Sequence, residues 1–583
     1  MKIFKYIFVI LGFAILSFSC ADYLDVQPKG ALSDEMLNTP EMVEKMIISA
    51  YAHVEHDYEV QAAWWFSDLR SGDVYKGGGG VSDQAWGHDI EVSSTIQVTR
   101  TEFNTKWVRH YIAISRANNA LARINNLTEA EYPDKRKRTA EMRFMRSFQY
   151  IQLKQIFNRV VWVDETMDEP QLLEESNVKY TSQELWDLII ADFRYAADNL
   201  PEDNLDVGRV NKFSATSFLI KALMFAAYEQ NDDYSIRTVN MEKMQEVVQL
   251  VNWIQSKNRY ILQDDFAKNF LWEFGTKGST EVSESVFAVQ SAVNDGTPFG
   301  KLNMFAMLSY IVTPEYGCCG FRQPSQNLVN AFKTDPATGL PLFDTFNDNN
   351  APQFQQGSDI DAHPEITVDP RLMHTVAFVD RPYKYDLDYS LPVSGIRDPQ
   401  LYGYTMSLKE IETFNCPCYR VASNFRSSSL KRDLIRYAEV LLWKAEALIQ
   451  LGELEEARLI INQLRTRAKN STARLVMPDG SPSANFKIEE YPAAGWTKDY
   501  AWRALQWEVR LEMACEGKHG FDLTRWGVLG DYLNEYYEVE KTRRTNYMSN
   551  AFFTKGQHEY FPIPNNQITY SQGLYKQNRG YDQ

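Results

Sequence analysis

Two stretches of the chain mix aromatic side chains with short polar ones at loop-like spacing, which is the chemistry needed to hold a sugar ring. Aromatic faces stack on the apolar C–H face of a pyranose, while Asp, Asn, Gln and Arg fork onto vicinal hydroxyls. The first stretch, Trp64–Asp89, carries Trp64, Trp65, Asp68, Arg70, Asp73, Tyr75, Trp86 and His88 around the run Gly77–Gly80. In an extended segment Trp64 and Trp65 point to opposite sides, so at least one belongs to the core; Asp68, Arg70, Asp73, Tyr75 and Trp86 are the expected ligand-binding residues. The second, Asn294–Gln323, contributes Asn294, Phe299, Tyr316 and Arg322, with Asp295, Tyr310 and Phe321 beside Cys318-Cys319. Loops of this kind carry function when a rigid scaffold positions them.

Other clusters point to structure. Arg510, Glu512, Glu516, Asp522 and Arg525 alternate in sign along a helix and its following turn, a pattern expected of an ion-pair network, so no catalytic residue is assigned. Asp344-x-x-x-Asp348-x-Asn350 and Asp386-x-Asp388 lack the spacing and closing Glu of a calcium loop, and no metal or cofactor is expected. The glycine run is not followed by Gly-Lys-Ser/Thr, which excludes a phosphate loop. Cys318-Cys319 and Cys416-x-Cys418 lack the C-x2-C spacing of structural zinc. A disulfide cross-link between the two loops is favoured, with free thiols or a metal site as alternatives, and a pre-organised binding loop would follow from it. Cys515 reads as a small core residue.

These residues need a large scaffold. The chain has 583 residues, 44% hydrophobic and 24% charged, values of a soluble globular protein. Its 61 basic and 77 acidic side chains give −16, which disfavours nucleic acid. Aromatic residues reach 13%. Helical periodicity occupies Pro40–Val54, Arg100–Ile124, Thr139–Phe157, Ser182–Asn199, Ser214–Glu229, Met241–Gln255, Lys431–Leu451, Glu453–Ala468 and Tyr500–Ala514. Between about 257 and 430 the chain turns irregular, with strand-length apolar runs such as Ser285–Val289. In Ala438–Arg467 the small residues Ala445, Gly452 and Ala457 stand where a tetratricopeptide unit brings two helices close. The expected fold is therefore mainly α: a tetratricopeptide-like helical scaffold with a large loop-rich insertion containing short strands.

At the start, MKIFKYIFVILGFAILSFSC has a basic beginning, an apolar run from Tyr6 to Leu16 and a cysteine, the layout of a lipoprotein signal peptide. Cleavage after Ser19 would leave Cys20 as an acylated first residue and, with Lys2 and Lys5 removed, 59 basic against 77 acidic side chains, or −18.

Several strings then resemble those of the SusD/RagB family of outer-membrane nutrient-binding lipoproteins. They run from Cys20-Ala-Asp-Tyr-Leu-Asp25 through Trp107…Ala117-Asn118-Asn119-Ala120-Leu121, Ala140–Ser147 and Gly208–Ala215. They continue with Asp369-Pro370-Arg371-Leu372, Leu434–Leu442 with Ala445-Glu446-Ala447, Glu508–Gly517 with Phe521–Gly527, and Phe561-Pro562-Ile563-Pro564…Gln577-Asn578-x-Gly580-Tyr581. The resemblance implies a SusD-like α–α superhelix over residues 20–583 as one domain, with scaffold at about 36–256 and 431–583 and the ligand side at about 257–430. It implies a cell-surface, lipid-anchored protein of the outer membrane that binds an oligo- or polysaccharide and works with a SusC-like TonB-dependent transporter. It also favours the Trp64–Asp89 stretch, because the family's loops around the first long helices contribute to its glycan face. Two alternatives belong to other classes: a secreted helical glycoside hydrolase, with two carboxylates across a cleft, and a structural lid of a transporter with no ligand site of its own.

Overall fold

The computed structural model describes residues 34–54, 62–203, 206–274, 283–296, 302–349, 365–422 and 424–581. Cys20 and Phe299 lie outside the described residues. Among the described residues ten helices form the scaffold: α1 (Pro40–Tyr51), α2 (Thr101–Asn126), α3 (Lys135–Phe157), α4 (Ser182–Asn199), α5 (Lys212–Ala227), α6 (Met241–Ser256), α7 (Tyr437–Leu451), α8 (Leu454–Asn470), α9 (Lys498–Glu512) and α10 (Leu529–Arg543). From α1 to α8 each packs on its predecessor, and α9 packs on α7 and α8. The fold is mainly α, as expected. α6 and α7 are neighbours although the whole irregular segment lies between them in sequence, so the stack is continuous across it.

Local chemistry explains the helix boundaries. The string before α5 is a capping box: the Ser214 amide donates to Asn211 Oδ1 at 2.9 Å, and the Asn211 amide donates to Ser214 Oγ at 2.8 Å. α7 and α8 form the close pair expected of their small residues. Ala445 and Ala457 are fully buried, and Gly452, at φ +90°, closes the turn between the helices. Among the described residues no helix is long and apolar enough to cross a membrane.

One expected helix is shorter than its periodicity. Lys431–Leu451 reads as continuous, but Arg432–Arg436 is a strand paired antiparallel with Ser285–Val289, and α7 starts only at Tyr437. Extended backbone at Arg436 (φ −102°, ψ 153°) caps the helix, while its guanidinium makes bonds no helical periodicity reveals. It meets Glu516 (3.0 and 2.8 Å), Glu284 (3.0 Å) and Glu512 (3.1 Å), all buried.

That contact belongs to a buried ionic lattice. Arg371 bonds Asp369 (2.7 Å), Glu508 and Glu512 (3.1 Å); Arg467 bonds Glu284 (2.6 Å) and Glu512; Lys409 bonds Glu516 (2.7 Å); Arg465 reaches Glu508 (3.4 Å). Five cations thus face five carboxylates; of the residues expected to form an ion-pair network, Glu512 and Glu516 belong to this lattice, whereas Arg510 pairs with Asp73. Its partners are distant in sequence: Asp369-Pro370-Arg371-Leu372 and Lys409 from the irregular segment are bonded to the end of α9. Arg525 pairs separately with Glu446 and Asp522. At the C-terminus, the Phe561 amide donates to Ile156 O (2.9 Å) and the Asn578 side chain to Phe157 O (2.7 Å), so the Pro562–Pro564 segment clasps the end of α3.

Most aromatic residues lie in one large core, and the irregular segment adds a second cluster of its own. There Tyr310, Tyr316, Tyr383 and Tyr419 pack in and near edge-to-face contact, with Tyr389 and Phe414 at the outside.

Candidate functional site

The two ligand-candidate stretches meet. Strand β1 (Val74–Gly77) pairs antiparallel with strand β2 (Phe321–Pro324), in the register Val74 with Pro324, Tyr75 with Gln323 and Gly77 with Phe321. The Gly78 amide extends the pairing to Gly320 O at 2.8 Å. Gly77 has φ +76°, and a Cβ there would stand 2.4 Å from Gly320 O. Gly77→Ala should therefore cost about 1–3 kcal/mol, checked by urea denaturation against Gly495→Ala, whose Cβ would meet nothing within 4 Å.

The side chains expected to touch ligand are mostly core. Asp68, Arg70, Asp73, Tyr75, Trp86, Tyr316 and Arg322 are each at most 2% exposed, which corrects their assignment. The reason is the same throughout: each has a buried partner that secures the loops from beneath. Arg70 donates to Glu559 O (3.2 Å) and to His558 O, and lies 4.6 Å over the Phe561 ring. Asp73 holds Arg510 (2.9 Å) and His519 (2.7 Å); burial alone would raise its pKa, but the Arg510 guanidinium and the bond to His519 hold it below the usual carboxylate value. The Tyr75 hydroxyl donates to Glu540 (2.7 Å). Arg322 donates to Ser407 Oγ and Lys409 O, both at 3.2 Å. Tyr316 sits inside the tyrosine cluster.

Trp64 and Trp65 are not on opposite sides of a strand. A helical turn, Ala63–Phe66, buries both, stacked at 3.9 Å, with Trp86 4.4 Å from Trp65. Trp86 Nε1 donates to Gln84 Oε1 at 2.8 Å. Asn294 is exposed.

Asp68 gives a test of this correction. Burial pushes its carboxyl up to about 7; Oδ1 accepts from the Gly517 amide at 2.9 Å, whereas Oδ2 has no hydrogen-bond partner among the described residues. Because the folded pKa lies above the unfolded one, folding is penalised as pH rises from about 4 through about 7. Asp68→Asn should therefore be more stable than wild type at pH 8, by on the order of 1–3 kcal/mol, and equal to it at pH 4. Thermal melts at the two pH values check this.

What reaches the surface above these side chains is a pre-organised polar rim. The Lys76 ammonium, buried, donates to the carbonyls of Gly77 (2.9 Å), Gly80 (2.9 Å) and Asp83 (2.5 Å), and so braces the glycine loop from inside. Burial lowers its pKa to about 8. On the outer side Asp83 accepts from the Gly79 amide (2.8 Å) and pairs with Arg397 (3.1 Å), both side chains about a third exposed. Arg397 also donates to Cys319 O (3.1 Å) and lies along Gly320. The Val312 amide donates to Gly395 O (2.8 Å), and the half-exposed Tyr389 donates to Thr313 Oγ1 (3.3 Å). Asp83 and Arg397 thus present a carboxylate and a guanidinium beside the glycine loop, and Tyr389 stands on Thr313, next to the Val312–Gly395 bond that leads to Arg397.

The cysteines pair locally instead of cross-linking the loops. Cys318 bonds Cys319, and Cys416 bonds Cys418, with a Cα separation of 5.1 Å in the second pair. The Cys416 and Cys418 sulfurs lie near Glu412, but as a disulfide they offer no thiolate to a metal. Half-buried Cys318 puts polarizable sulfur beside the rim. Cys515 is a buried free thiol, as expected.

Asp83 lies inside the first stretch, among more conspicuous aromatic neighbours. Tyr389 and Arg397 lay outside both stretches. Their own segment, Asp386–Asp398, has the same mixture of Tyr, Asp and Arg between turns, and that composition was the available signal.

Comparison with known proteins supplies independent findings. Residues 283–581 match the family model described as "SusD family", and residues 22–224 match "Starch-binding associating with outer membrane". A SusD-like protein of Bacteroides ovatus is 27% identical over 224 residues, 37% of this chain and 38% of that protein. SusD-like protein P38 of Formosa agariphila is 22% identical over 535 residues, covering 90% and 92%. Among solved structures, a "Laminarin binding SusD-like protein" superposes with a TM-score of 0.62 at 21% identity, covering 93% of this chain and all of that one. Surface glycan-binding protein A from Bacteroides thetaiotaomicron gives 0.63 at 18%, covering 93% and 99%.

Proposed function

The chain belongs to the SusD family, and from that premise we propose that it is a surface glycan-binding protein. It captures an oligo- or polysaccharide at the rim of Gly79, Asp83, Tyr389 and Arg397 and passes it to a TonB-dependent transporter of the SusC type. The observation that carries this reading is the Lys76-braced glycine loop with its outward Asp83–Arg397 pair: fixed donors and acceptors that need no ordering before they meet sugar hydroxyls. Relatives named for laminarin and surface-glycan binding support the ligand class, and the family model named for starch binding at the outer membrane supports the location. A lipid on Cys20 would hold the protein there.

Capture, not hydrolysis, is the proposed activity. Asp83 is already engaged by the Gly79 amide and Arg397, an arrangement that serves to hold a ligand hydroxyl in place. Incubation of purified protein with laminarin or starch should retard its migration in a glycan-containing gel and release no new reducing ends. Turnover abolished by changing one carboxylate would replace this reading with a glycoside hydrolase.

A further inference from the structure

A second concave surface lies at the other end of β1. Asp73, the residue before that strand, holds Arg510 of α9. Arg510 forms the floor of a groove of about 590 Å³ between α9 and α10, a size within the roughly 300–1,000 Å³ of small-ligand pockets. One wall is aromatic: Trp507 meets Phe346 edge to face at 5.0 Å and Phe343 at 5.4 Å, and Tyr532 faces them from α10, all partly exposed. Arg510 is 2% exposed and bonds Asp73 through Nε and Asn327 O through Nη2 (3.4 Å). Among the described residues its Nη1 has no hydrogen-bond partner, and neither has the hydroxyl of Tyr536, which lines the same groove. Two buried polar groups therefore await an acceptor or donor. At the mouth Asp344 pairs with Arg503 and Asp531 with Lys555 (2.9 Å), while the exposed Asp348 and Glu535 leave the opening acidic.

We propose that this groove is a second saccharide site, taking a neutral sugar unit of the same polysaccharide and rejecting uronate or sulfated units. The rings supply stacking faces, Arg510 and Tyr536 supply hydrogen bonds on the floor, and the acidic mouth repels anionic chains. A polysaccharide long enough to engage the rim and the groove together meets the second site at high effective concentration. The inference rests on the glycan-capture reading, and the experiment separates the two.

Calorimetric titration of the full chain with laminarihexaose and maltohexaose, and with hexagalacturonate as the anionic comparator, should show two glucan sites per chain and no galacturonate binding. The double variant Phe346→Ala/Tyr532→Ala should leave one glucan site and weaken binding of long laminarin about tenfold, equivalent to about 1.4 kcal/mol. Trp507→Phe, which keeps the groove apolar, should abolish a glucan-dependent fluorescence change seen in wild type, a readout that does not depend on truncation. Unchanged stoichiometry and affinity in the double variant, an undiminished fluorescence change in W507F, or galacturonate binding lost with F346A/Y532A would overturn the second site while leaving capture at the rim intact. Binding of neither glucan to wild type overturns both.

Discussion

Arg436→Met should destabilise the protein by about 3–5 kcal/mol at neutral pH, the cost of orphaning buried charges. That is a large share of a net stability of roughly 5–15 kcal/mol. Arg436 is fully buried and touches three carboxylates, Glu284, Glu512 and Glu516. Methionine fills much of its volume, so the loss reports unpaired charge more than a cavity. The pH dependence distinguishes the cause. In wild type, burial opposes ionisation of Glu516, but Arg436 and Lys409 overcome it and hold its pKa at about 2. A depressed folded pKa means stability that is complete above about 4.5 and lost as pH falls toward 2. In the variant the carboxylates have lost their main partner, so protonation relieves them and the destabilisation shrinks as pH is lowered. Urea unfolding at pH 7 and pH 4 should show the difference between variant and wild type narrowing; a constant difference would mean that lost packing dominates.

The second large effect concerns function. Arg397→Ala combined with Asp83→Ala should weaken glucan binding by roughly 10- to 150-fold, the equivalent of one charge-assisted hydrogen bond at about 1.5–3 kcal/mol. Both side chains are about a third exposed and their mutual pair is near the surface, so stability should change by no more than about 1 kcal/mol. Asp68→Asn, a few residues before the loop but buried, should bind as wild type. Affinity electrophoresis of the three proteins side by side separates a rim that binds from a foundation that supports it.

The scaffold was legible in the sequence because its signals are local. Helical periodicity, the Asn211–Ser214 capping box and the small residues Ala445, Gly452 and Ala457 each specify structure within a few residues. The site was legible as segments and not as side chains. An Asp, Arg or Trp on a loop looks alike in sequence whether it faces solvent or a partner hundreds of residues away. Arg70 is buried because of the carbonyls of His558 and Glu559, and Asp73 because of Arg510 and His519. The strand at Arg432–Arg436 is illegible for the same reason: its pairing partner, Ser285–Val289, is remote. The cysteines show the reverse error, since a long-range cross-link was expected where each pair closes on itself.

Hydrogen–deuterium exchange with and without laminarin or maltohexaose reports where on the chain a glycan rests, and so whether the rim is the capture site. Glycan addition should slow exchange in residues 77–84, 317–320 and 389–398. Saturating glycan binding with unchanged exchange in all three segments would contradict it.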